Sequence, residues 1–144
     1  MTVGRITADG ALDWLVDEIQ GIQLTTGDTR VGFTIAEVND EDGSMASSVS
    51  RAFAFYVTGQ GASPWCWGGE YIALQLLVVY QNQVNFQDLV ELKNHLEYNA
   101  ATVAGIGGVE TLQSAVLGND VGDSNIVVQI PIVIKYLPPK IQGE

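Results

Sequence analysis

Cysteine, histidine and positive charge are all scarce in this chain of 144 residues. A lone cysteine, Cys66, excludes an intrachain disulfide, which suits a reducing compartment or a fold indifferent to oxidation. A lone histidine, His95, together with that thiol, falls short of the three or four Cys/His ligands of a zinc site. Six basic residues against 17 acidic ones give a net charge of −11, so the chain has no footprint for a nucleic-acid backbone or an anionic membrane. Long apolar runs are missing too. The longest, around Ile72 to Tyr80, is interrupted by Gln75 and is too short to span a bilayer. The opening "MTVGRITADG" has no basic segment followed by an apolar one, so no signal peptide is expected. The expectation is a soluble domain made in the cytosol.

What is present supports a packed core. Hydrophobic residues make up 47% of the chain and charged residues only 16%, which is the composition of a globular domain rather than a disordered one. The 16 glycines predict many turns. A chain of this length is read as one domain, 1–144, with a flexible loop at about 40–50, a second loop at about 59–69 and a C-terminal tail at 138–144.

Periodicity predicts the elements. "TADGALDWLVDEIQG" spaces Leu12, Leu15, Val16 and Ile19 along one helical face, with Asp9 as N-cap and Gly21 as stop. "RVGFTIAEV" alternates as a strand. "NDEDGSMASSVS" is a polar loop, after which Phe53, Phe55 and Val57 resume the alternation, so the two strands read as a hairpin with a long acidic tip. "YIALQLLVVYQN" is apolar on both faces, as suits a central strand. In "VNFQDLVELKNHLEYNA", Asn85 caps a second helix and Asp88 completes a capping box. Its apolar side is Phe86, Leu89, Val90, Leu92 and Leu96. A shorter run, Val109 to Leu117, turns through "GNDVGDSN" into a last strand with Ile126, Val128, Ile130, Ile132, Ile134 and Tyr136 on one face. The fold class is α+β: a mixed, mainly antiparallel sheet of about five strands with two helices packed on one face.

Pro131 sits in the middle of that last strand beside Gln129 and Lys135, on the face opposite the isoleucines. A proline cannot donate to a ladder, which places it at a sheet edge, where it would blunt pairing with wrong partners.

Chemistry-bearing constellations are sparse. His95 reads as an exposed polar residue of the second helix, and Cys66 has no G-x-S-x-G turn or comparable signature near it. "NDEDGS" resembles a calcium loop. Aligning Gly43 with the loop glycine, however, puts Val38 first and Val49 last, and neither can ligate. "GIGG" lacks the Lys and Ser/Thr of a phosphate loop. The acidic pairs Asp17/Glu18, Glu37/Asp40 and Asp40/Asp42 read as solvated faces. No catalytic residue, cofactor or metal is therefore expected. "SPWCWGGEY" stands apart, since two tryptophans in a Gly/Pro loop either fold back on the core or fill a pocket on a partner.

This order of elements resembles the tail terminator (tail completion) proteins of long-tailed bacteriophages. The resemblance rests on "ALDWLVDEIQGI", the polar-tipped strand pair, "YIALQLLVVYQN" running into "FQDLVELKNHLEYN", and the closing "VVQIPIVIKYL". It covers about Ala8 to Leu137; the "SPWCWGG" insert departs from the pattern. It implies a non-enzymatic virion protein of the tail and neck, synthesised in the bacterial host cytoplasm. Such a protein forms a hexameric ring between the major tail tube protein and a head-completion or connector protein. DNA would be passing cargo, and no membrane is involved. The interface candidates are Trp65, Trp67, Asp40, Glu41, Asp42, Met45 and Pro131. The alternatives are another neck or head-closure subunit, or a small α+β ligand-binding domain with Trp65, Cys66 and Trp67 lining its pocket.

Overall fold

The computed structural model describes residues 4–24, 33–35, 52–63, 68–81, 84–117 and 125–139. Along the chain these form α1 (Ala8–Gly21), β1 (Thr34–Ile35), β2 (Ala52–Ala62), β3 (Glu70–Gln81), α2 (Phe86–Ala100), β4 (Ile106–Thr111), β5 (Ala115–Leu117) and β6 (Asn125–Tyr136). The sheet order is β1-β2-β3-β6-β4, with β5 also on β6, so β4 and β5 share one position in the sheet. Every pairing is antiparallel except β1 with β2.

Alternation places the core. Ile72, Leu74, Leu76, Val78 and Tyr80 of β3 and the even-numbered residues of β6 from Val128 to Tyr136 point to one face and are buried. Ala11, Leu15 and Ile19 of α1 and Leu92, Leu96 and Ala100 of α2 pack onto that same face. The fold is therefore α+β with both helices on one side of the sheet, as the periodicity predicts. β3, apolar on both faces, runs between β2 and β6 in the sheet interior.

Local signals explain the helix boundaries. Asn85 caps α2, its Oδ1 accepting from the backbone N–H groups of Gln87 (3.1 Å) and Asp88 (3.4 Å). At α1 the cap is Thr7 rather than Asp9: Thr7 Oγ1 accepts from Gly10 N–H at 3.0 Å, and Asp9 lies in the first turn. The helix begins earlier because the segment before it is anchored, Ile6 N–H donating to Leu137 O at 2.9 Å beyond the end of β6.

The structure corrects the sequence reading at three further points. The first two strands do not form a hairpin. β1 runs parallel to β2, pairing Thr34 with Ala52 and Ile35 with Phe53, and the long connection between them permits the crossover a parallel pair needs. The second loop is shorter than 59–69, because β2 continues through Ala62. A register shift between Val57 and Gly59 absorbs an extra residue, and Gly61 pairs with Tyr71, whose ring lies beside the bare glycine backbone.

The third correction concerns Pro131. It is not at a sheet edge, since β6 has β3 on one side and β4 and β5 on the other. Its side chain does lie on the face away from the helices, half-buried in the same row as Gln129 and Lys135. The missing donor is accommodated by a break in the neighbouring strand. β4 pairs through Thr111 with Ile132, and β5 resumes with Ala115 opposite Gln129. Between them Leu112 N–H donates to Pro131 O at 2.9 Å. In an extended strand the N and C=O of one residue point to the same side, so the position of the absent N–H also faces this break. Toward β3, Pro131 faces Gln75 in a pair that exchanges no backbone bonds, and that ladder loses nothing.

Candidate interaction surface

The break at residues 112–114 shapes the surface above it. Where β4 leaves the ladder, the side chains of Ile130 and Ile132 are left as the floor of a groove of about 270 Å³. Leu89, Val90 and Lys93 of α2 form one wall, and Leu112 forms the other. One proline in β6 thus leads to a strand break, and the strand break to an apolar groove beside α2.

The start of α2 sets how that wall is presented. Asp88 is fully buried and accepts a 2.9 Å hydrogen bond from Tyr80 Oη of β3. Anchored there, the helix buries Asp88, Leu92, Leu96 and Ala100, a stripe of four-residue spacing. Phe86 and Val90, expected on the apolar side, are turned outward instead, at 60% and 50% exposure. Across the groove Leu112 is exposed, and so are Val116 and Leu117 of β5, of which Leu117 stands opposite Val127 on the face away from the helices.

Polar side chains form small, separate networks. His95 Nε2 lies 2.8 Å from Glu18 Oε2, and Asn99 Nδ2 is 3.4 Å from the same carboxylate oxygen, so this cluster joins the two helices. His95 is therefore half-buried and partnered, not the free surface residue expected from its neighbours. On the opposite face of the sheet, Gln129 Nε2 donates to Gln75 Oε1 at 2.9 Å and lies 3.3 Å from Tyr56 Oη, a ladder across β2, β3 and β6. Lys135 Nζ pairs with Glu110 Oε1 at 2.9 Å. These bonds fix neighbouring elements to one another. Among the described residues, no group of three or more His, Cys, Asp or Glu side chains is placed to hold a metal ion.

Of the interface residues expected from the sequence, Asp40, Glu41, Asp42, Met45, Trp65 and Trp67 lie outside the described residues. Pro131 is described, and it borders the strand break rather than an edge. The groove itself escaped the sequence reading. Its one sequence signal was Pro131, which cannot be satisfied in an unbroken interior strand. No family model and no curated protein matches the chain.

Proposed function

We propose that the chain is a non-enzymatic assembly subunit of a phage virion, a tail terminator that forms a hexameric ring at the top of the tail tube and joins the tail to the head. The observation that carries this reading is the groove and its exposed apolar lining, Val90 and Leu112, with Phe86 exposed on the same helix, on a chain of net charge −11. Clustered exposed apolar side chains mark contact surfaces. A small-molecule site, by contrast, needs a few convergent polar groups in an apolar cavity. Here the polar lining residues, Lys93, Thr111, Gln113 and Ser114, are exposed or half-buried rather than enclosed, and the networks of His95 and of Gln129 lie outside the groove.

The order of elements and the α+β architecture support the same reading. The acidic balance fits a ring through which DNA slides without sticking, because like charges repel. The partners are further copies of the chain, the major tail tube protein and a head-completion or connector protein. Electron microscopy of the purified protein mixed with tail tubes tests the proposal, the expected result being rings seated on tube ends. A monomer that ignores tubes and quenches its tryptophan fluorescence on binding a small molecule would refute it.

A further inference from the structure

We draw no further inference here: the strongest candidate, the apolar groove between α2 and the strand break at residues 112–114, belongs to the surface already described, and nothing in the structure shows what covers it, its one charged lining residue, Lys93, being exposed to water.

Discussion

Tyr80→Phe removes one oxygen from the root of α2 and nothing else. Tyr80 is 2% exposed and its hydroxyl donates to the fully buried Asp88 carboxylate at 2.9 Å, so the phenyl ring stays packed while Asp88 loses a donor. Leaving a buried acceptor short of a partner costs about 1–3 kcal/mol. With an unfolding entropy of roughly 2.1 cal/mol/K per residue, a chain of this length loses about 3 °C of melting temperature per kcal/mol. The expected fall is therefore about 3–9 °C in a thermal melt followed by circular dichroism. Asp88→Asn should cost a similar amount, and the double variant should fall short of the sum of the singles by about 0.5 kcal/mol or more. Tyr98→Phe, on an exposed tyrosine of the same helix, is the control and should not move the melt. A Tyr80→Phe shift under about 1 °C, or strict additivity with Asp88→Asn, would refute the claim that this bond anchors α2.

Gly105→Ala should destabilise by at least about 1–2 kcal/mol in chemical denaturation. Gly105 holds φ at +91°, and an added Cβ would lie 2.8 Å from the backbone of Arg5 and Ile6. Pro131→Ala should cost only about 0.4–1 kcal/mol, through the freer unfolded chain, because the restored N–H faces the strand break. It should also leave aggregation unchanged in light scattering, whereas a proline that guarded an edge would increase aggregation when removed. Glu18→Gln should change stability by no more than about 1 kcal/mol, since Glu18 and His95 are both partly solvated and screened. A larger loss in urea denaturation would show that the bridge between helices carries more than its exposure allows.

Much of the architecture was legible because it is written locally. The spacing of Leu15 and Ile19, the cap at Asn85 and the alternation from Ile126 to Tyr136 each act over a few residues, and each held. Pairing was less legible. β1 and β2 pair in parallel although they are separated by many residues of sequence, and neither strand carries that fact in its own residues. Apolar pattern likewise names the residues of a helix face without saying how far the cover extends, which is why Phe86 and Val90 were expected inside and lie outside. Asp88 shows the converse: it was read as a capping-box residue, yet its carboxylate is buried because Tyr80 of β3 reaches it. Pro131 drew attention for the right physical reason, a missing donor. An edge and a broken neighbouring strand both satisfy that condition, and only the order of the sheet separates them.

Native mass spectrometry of the unaltered protein tests the central claim most directly. Six copies of a 15.4 kDa chain should give a species near 92 kDa, alone or once tail tubes are present. A single 15.4 kDa species under all of these conditions would contradict it.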